Sequence, residues 1–367
     1  MSTLLLLLLS QPSNLCSRKP VLVRSSPLLS DGLSSSSLPQ NPPPRVIVCN
    51  DPCRPNFGQI IHMKNSRSFT PLEWKVAVTL VKEMGAIGSS NGWQAILKDG
   101  VMHLRDTDLN PVSWDTEPKR ISLPPLITLP HCQTQVVTNV AMSSSSPEDE
   151  DCVVAVKYLG PQLSFCRPAA QRNSQRINIR IENPCFFSSP VMFSKKYDMF
   201  LIPGSGGHII ASWDHHNQSK NPKLQSLRFQ NLPKLSKTKR DILDLCCMSE
   251  HLVESITTGE TFMVKLYRKT PKMRRCGFSR MMTEALMVFK LDDEGNAVYT
   301  RDIGDLCIFL TKSESFCLPS SFSLSMCRPN CVKIIDVDEN RFFKLSAQKW
   351  NRPRPLDWFS YNNVWFF

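Results

Sequence analysis

Cysteine and histidine are the residues of this sequence with the widest range of chemistry, since thiolates and imidazoles bind metals and act in catalysis. The 14 cysteines include two Cys-x-x-x-Cys pairs, Cys49 with Cys53 and Cys327 with Cys331. Their overall spacing is irregular, whereas structural zinc sites use Cys-x-x-Cys knuckles or histidines at helical spacing. The pattern therefore predicts reduced thiols without a shared role, and neither a zinc site nor a disulfide framework.

A second group of possible metal ligands consists of His208, His215 and His216 together with Asp214. The group is loose, and its spacing matches no helical ligand pattern for a zinc site. We expect no metal at these residues.

Two further segments contain residue types that occur in catalytic motifs, a glycine-rich loop with a serine and a run of acids. Gly204–Gly207 lacks the serine flanked by glycines two positions away that a nucleophile elbow needs, and no Gly-Lys-Ser/Thr follows it as in a P-loop. Asp292–Glu294 has the composition of a turn. The sequence thus predicts a protein that is not an enzyme, with no catalytic residues, no cofactor and no small-molecule substrate.

Positive charge is concentrated in two segments, residues 216–240 and 265–280, which together hold 14 lysines and arginines and no acid. If both reached one rim of the fold, they would attract an anionic partner such as RNA or an acidic protein. The alternative is a pair of solvated loops. The candidate contact residues are Lys234, Lys237, Lys239, Arg240, Lys269, Lys272, Arg274 and Arg275.

These segments need a scaffold, and the composition permits a large one. The chain has 367 residues, 41% of them hydrophobic, and a formal net charge of +12. These values exclude a wholly disordered or acidic chain. No apolar run is long enough to span a bilayer as a helix, so we expect no membrane span.

The scaffold is predicted to be a β-propeller. After Gly88, apolar runs of strand length alternate with turn residues to the end of the chain. A long all-β chain must protect its sheet edges, and residues 88–367 at about 40 to 45 residues per blade suggest six or seven blades. The predicted domain is therefore 88–367. Ahead of it, in the segment 46–87, Thr70–Glu73 resembles a capping box and predicts one short helix that ends at Gly85.

The first 45 residues have the composition of an organellar targeting segment. They contain four basic residues, one acid and many serines, leucines and prolines. This composition favours a disordered transit peptide over residues 1–45, with a disordered tail or a secretory signal as alternatives.

Several spaced motifs resemble the plant family known as the domain of unknown function 295. They occur in the family's order, and the resemblance extends over roughly residues 90 to 345. The motifs are Met192–Lys196, Phe200–Gly207, Ser212–Asp214, Glu250–Glu254, Asp302–Leu306, Cys307–Leu310, Ser315–Leu318 and Cys327–Cys331.

This resemblance implies a β-propeller. Many members of the family have an F-box ahead of it and act as substrate adaptors of ubiquitin ligases, but residues 1–69 lack the features of an F-box. The resemblance therefore implies the organellar branch, with mitochondrial localisation and chloroplast as the alternative. We expect a protein-interaction or scaffold module with a protein partner. The alternatives are an adaptor that has lost its F-box and an RNA-binding protein with a basic rim. A propeller enzyme would need acids, histidines or a metal that converge in its central channel.

Overall fold

The computed structural model is built from short antiparallel strands. It describes residues 45–50, 57–63, 73–77, 86–98, 100–106, 119–132, 136–169, 176–216, 221–270, 281–322, 327–336 and 339–346. Residues 1–44, which make up nearly all of the predicted transit peptide, lie outside the described part.

Three four-stranded blades come first, and in each the strands follow one another in chain order. Blade one consists of β4 (Ala86–Ser90), β5 (Trp93–Lys98), β6 (Val101–Asp106) and β7 (Arg120–Ser122). Blade two consists of β8 (Val137–Met142), β9 (Val154–Tyr158), β10 (Gln162–Cys166) and β11 (Ile177–Arg180). Blade three consists of β12 (Met192–Ser194), β13 (Met199–Pro203), β14 (Ile209–Trp213) and β15 (Lys223–Ser226).

Blades four and five depart from this simple order. Blade four contains β17 (Cys247–Glu254), β18 (Thr261–Lys269), β19 (Met282–Leu291) and β20 (Asn296–Thr300), with β16 (Arg228–Gln230) parallel to β20 at the outer edge. Blade five has the order β22 (Phe316–Pro319), β21 (Leu306–Thr311), β23 (Cys331–Ile335) and β24 (Asn340–Lys344). In blade five β21 and β23 are parallel.

Blade five meets blade one directly, so five blades complete the ring. The Ser89 hydroxyl donates to the Ser313 hydroxyl at 3.1 Å, and the Asn91 backbone N–H donates to the Glu314 carboxylate at 3.3 Å. The prediction of six or seven blades is therefore wrong. The five blades average about 50 residues each when their connections are included, close to the longest propeller repeats. Blade four raises this average, because it contains α1 and an extra strand.

Residues ahead of the ring form a separate three-stranded antiparallel sheet. Its strands are β1 (Arg45–Asn50), β2 (Phe57–Met63) and β3 (Glu73–Ala77). The helix predicted from Thr70–Glu73 is wrong at residues 73–77, where the backbone pairs with β2 instead. An apolar helical spacing cannot exclude a strand when a neighbouring strand supplies the hydrogen bonds. Residues 70–72 and 78–85 lie outside the described part.

Helical turns in the described part of the chain lie within the propeller. α1 (Lys237–Asp244) connects the outer edge of blade four to its inner strand β17, and 3-10 turns cover Pro184–Phe186 and Ser320–Phe322. The described α-helix thus lies inside blade four, and it is not the one predicted ahead of the propeller. None of the described helices is long and apolar enough to cross a membrane.

Many of the predicted strands and turns are confirmed. The run Cys331–Ile335 is β23, and the runs at Met199–Ile202 and His208–Trp213 form β13 and β14. Gly204–Gly207 connects these two strands, as expected of a hairpin loop. Asn91 and Gly92, with φ of 48° and 88°, form the two-residue turn between β4 and β5, a strong hairpin signal that the sequence analysis overlooked.

Buried cysteines form part of the apolar core of blade five. Cys307, Cys317, Cys327 and Cys331 are buried in or beside blade five, and burial raises the pKa of the Cys317 thiol to about 12. The ten described cysteines between Cys132 and Cys331 are free thiols. Such thiols behave as small apolar residues and are poor nucleophiles.

Candidate functional site

A cavity of about 530 Å³ lies at the centre of the ring. All five blades contribute to its wall, which is formed by Ser90 and Asn91, β8, β12, β17 and the connection from β21 to β22. A concave space where several elements converge is the usual position of a binding site. The side chains that face it therefore determine what the channel can bind.

His251 on β17 is a half-buried titratable residue that lines this channel. Its imidazole Nε2 lies 3.2 Å from the Ser249 hydroxyl, and its Nδ1 lies 3.5 Å from the Ser315 hydroxyl of blade five. Burial lowers the pKa of His251 to about 4, and the nearby Arg268 acts in the same direction while Asp336 opposes it. At neutral pH the imidazole is therefore uncharged and links two blades through hydroxyl groups.

An ion pair between blades four and five lies beside this histidine. Arg268 at the end of β18 contacts the Asp336 carboxylate at 2.9 Å, and both side chains are about one-fifth exposed. Because the pair is largely shielded from water, removing either partner would leave the other charge poorly solvated, so the pair links these two blades. At this end of the channel the positive charge of Arg268 is therefore paired with the negative charge of Asp336.

Glu254, the last residue of β17, lines the opposite end of the channel. Its carboxylate accepts hydrogen bonds from the Ser194 hydroxyl and from the backbone N–H groups of Lys195 and Lys196, the latter two at 3.0 and 3.1 Å. The end of β12 is thereby held against the end of β17. These two inner strands therefore run in the same direction along the channel.

The strand register places the predicted basic residues of blade four at one end of that blade. Lys237, Lys239 and Arg240 lie on α1, which leads into the first residue of β17. Cys247 at that end pairs with Arg268, and the next residue is Lys269. Cys246, two residues after α1, lies close enough to Lys269 for the ammonium to act on its thiol, so the carboxyl end of α1 reaches the end of blade four where Lys269 lies. The set of Lys234, Lys237, Lys239, Arg240 and Lys269 is called the blade-four basic face. Lys269 forms an ion pair with Glu284 at 3.2 Å.

Three predicted contacts, Lys272, Arg274 and Arg275, lie outside the described residues. The strands on either side of them, β18 and β19, end and begin at the blade-four basic face, because Lys269 pairs with Met282. Sequence reasoning anticipated these two charged segments but had no means of deciding whether they share a face.

The charges on α1 are arranged against the stability of the helix itself. Its basic residues occupy the first half, Asp241 and Asp244 lie in the second half, and none of its residues is buried. A helix macrodipole favours the reverse arrangement, with acids at the amino end and bases at the carboxyl end. Helix stability therefore does not explain these residue types.

Apolar side chains accompany this charge. Leu243 packs partly against the core between blades three and four, whereas Leu245, directly after α1, is 81% exposed. Ile242, Met248 and Leu232 are also exposed. Clustered exposed apolar residues with a charged rim are typical of a protein-binding surface.

A second cluster lies at the far end of blade three, where β12 turns into β13 and where β14 ends. Polar atoms of Asp198, His215 and His216 all lie within 4.8 Å of one another. His216 Nε2 is 2.9 Å from the Asp198 carboxylate. Burial lowers the pKa of His215, with His216 as the next cause. The sequence analysis grouped the two histidines with His208 and Asp214 and missed Asp198, which is distant in sequence.

The channel residues His251, Ser249 and Arg268 were also missed as site residues. The sequence signal was present in Glu250–Glu254, where a histidine and two acids interrupt an apolar strand. A polar residue on an otherwise apolar strand is a reason to suspect a channel or interface. Their partners Ser315 and Asp336 come from another blade and leave no local pattern.

Five blades around a central channel, with a basic and apolar surface beside blade four, define a five-bladed β-propeller with the features of a binding protein. The family described as KIB1-4 beta-propeller matches residues 63–362, a range that includes every blade. The chain therefore belongs to the KIB1-4 β-propeller family. Among curated proteins, none matches the chain.

Proposed function

We propose that this propeller is a non-enzymatic protein-interaction module that recognises an acidic, partly apolar segment of a partner protein through the blade-four basic face. The observation that carries the proposal is α1, whose charges oppose its own macrodipole and which exposes Ile242 on the helix and Leu245 directly after it. Charge complementarity would steer the partner, and the exposed apolar side chains would provide the buried contact.

The expected binding can be tested with a synthetic peptide in which Asp and Glu alternate with Leu. Replacing Lys237, Lys239 and Arg240 by Glu should weaken binding of this peptide by at least about tenfold, because three attractive contacts become repulsive. Fluorescence anisotropy at several salt concentrations measures the loss. Replacing Leu245 by Ser should weaken binding without removing its salt dependence.

The matched control changes the net charge by the same amount elsewhere. Lys195, Lys223 and Lys344 are exposed and lie outside the blade-four basic face, so a triple change to Glu at these positions should leave peptide binding nearly intact. Equal losses in the two triple variants would show a general field effect and contradict the proposal. Binding of a single-stranded RNA oligonucleotide, but not of the peptide, would favour the RNA alternative instead.

We further propose that the protein belongs to the organellar branch of the plant family that its motifs resemble, and that it acts in mitochondria, with chloroplasts as the alternative. The support is the basic, serine-rich and nearly acid-free composition of residues 1–45. Full-length chain added to isolated mitochondria should yield a shortened, protease-protected product whose amino terminus lies near residue 45. The same assay is repeated with isolated chloroplasts. A chain that stays full-length and protease-sensitive with mitochondria and with chloroplasts would contradict the organellar location and favour a cytosolic ligase adaptor.

A further inference from the structure

Two turns of blade three bring Asp198, His215 and His216 together although 17 residues of sequence separate the first two. Asp198 ends the connection between β12 and β13 and has a φ of 52°, a conformation that aspartate adopts more readily than most residues. His215 and His216 follow Asp214 at the end of β14. Phe200 pairs with Trp213, so the two turns lie side by side.

The three side chains form a set suited to a transition metal. Two imidazoles and one carboxylate are ligands that zinc and its first-row neighbours prefer, whereas calcium and magnesium prefer oxygen alone. Zinc binds such atoms at about 2.0 to 2.2 Å, so ligand atoms up to 4.8 Å apart need a small inward movement. Asp198 and His216 are exposed, which leaves their side chains free to rotate inward.

One of the ligands is already held in position by packing. The His215 ring makes edge contacts with Phe193 and Phe200 at centroid distances of 5.7 Å. Its Nδ1 is buried and has no hydrogen-bond partner among the described residues. The two histidine rings lie 3.9 Å apart, which keeps both imidazoles on the same side of the turn. A site with one fixed and two adjustable ligands requires little reorganisation on binding.

The charges near the cluster permit a cation. Arg167 is the nearby positive group, and it faces the Asp151 carboxylate at 3.7 Å. Lys196, next to the same turn, contacts Asp293. Both positive groups therefore have a carboxylate beside them, and Asp198 and Asp214 add negative charge at the cluster itself.

We propose that Asp198, His215 and His216 bind one divalent transition-metal ion of the zinc type at the end of the ring opposite α1. Three protein ligands leave a coordination position open for water or for a side chain of a partner. The ion would also join the two turns of blade three. This site is separate from the blade-four basic face and does not depend on the function proposed for that face.

Titration of the reduced full chain with Zn²⁺ in a calorimeter tests the site. We expect one equivalent to bind, and we expect the substitutions His216→Gln and Asp198→Asn each to weaken binding by at least about tenfold. Asn tolerates the backbone conformation of Asp198, so the second variant keeps the turn. His208→Gln, a change at an exposed histidine of the same blade, is the matched control and should bind Zn²⁺ like the wild type.

Co²⁺ absorption identifies the ligand type, which matters in a chain with 14 cysteines. Visible d–d bands without a near-ultraviolet thiolate band, lost in both variants, support the proposal. A thiolate charge-transfer band would assign the metal to cysteines and overturn it. Unchanged Zn²⁺ affinity in folded His216→Gln or Asp198→Asn protein, checked by circular dichroism, would overturn it as well.

Discussion

Acidification from pH 7.5 to 4.5 is expected to lower the free energy of unfolding by about 2.5 kcal/mol through His251 alone. The folded protein holds this imidazole with a pKa of about 4, against 6.5 for an ordinary histidine, chiefly because it is buried in the channel. Between these two values the unfolded chain binds a proton that the folded protein does not. Stability therefore falls as the pH drops below about 6.5 and levels off below about 4.

The measurement compares denaturant unfolding of the wild type with that of His251→Gln at pH 7.5, 6.5, 5.5 and 4.5. Carboxylates titrate in both proteins, so the difference between the two curves isolates His251. A difference between wild type and His251→Gln that stays constant with pH would show that the channel does not exclude the charged imidazole.

Replacing Gly207 by Ala should cost about 3 kcal/mol of stability, from an unfavourable φ and from a steric clash. Gly207 has a φ of +69°, and an added Cβ would lie 2.7 Å from Lys265 Cε and 2.9 Å from Met263 Sδ. Lys265 has little room to move, because its ammonium donates to the Gly206 carbonyl at 2.8 Å and lies 3.8 Å from the centre of the Phe229 ring.

Gly259 offers a matched control in the same fold. Its φ is +68°, but an added Cβ there meets nothing within 4 Å. Gly259→Ala should therefore cost only the backbone term, about 1 kcal/mol. Chemical denaturation of both variants measures the difference. Equal costs at the two positions would mean that Lys265 and Met263 adjust freely and that blade three is not tightly packed on blade four.

The pattern of apolar residues predicted most of the strands correctly. It predicted one helix and the number of blades wrongly, and both errors have a physical reason. Runs such as Cys331–Ile335 are strands in any all-β context because they are buried on both faces. The segment at Glu73 has helical spacing, yet pairing with β2 makes part of it a strand. Blade number failed because it was derived from an average repeat length, and α1 and β16 make blade four longer than average.

The all-β class, most turn positions and the two basic segments could be predicted from the order of the residues. These are local properties, set by residue type and by spacing along the chain. The closure of the ring with five blades, the approach of α1 to Lys269, and the contacts of His251 with Ser315 and of Asp198 with His216 became known only from the folded chain. Such contacts join residues far apart in the chain, and only the packing of one blade on the next brings them together.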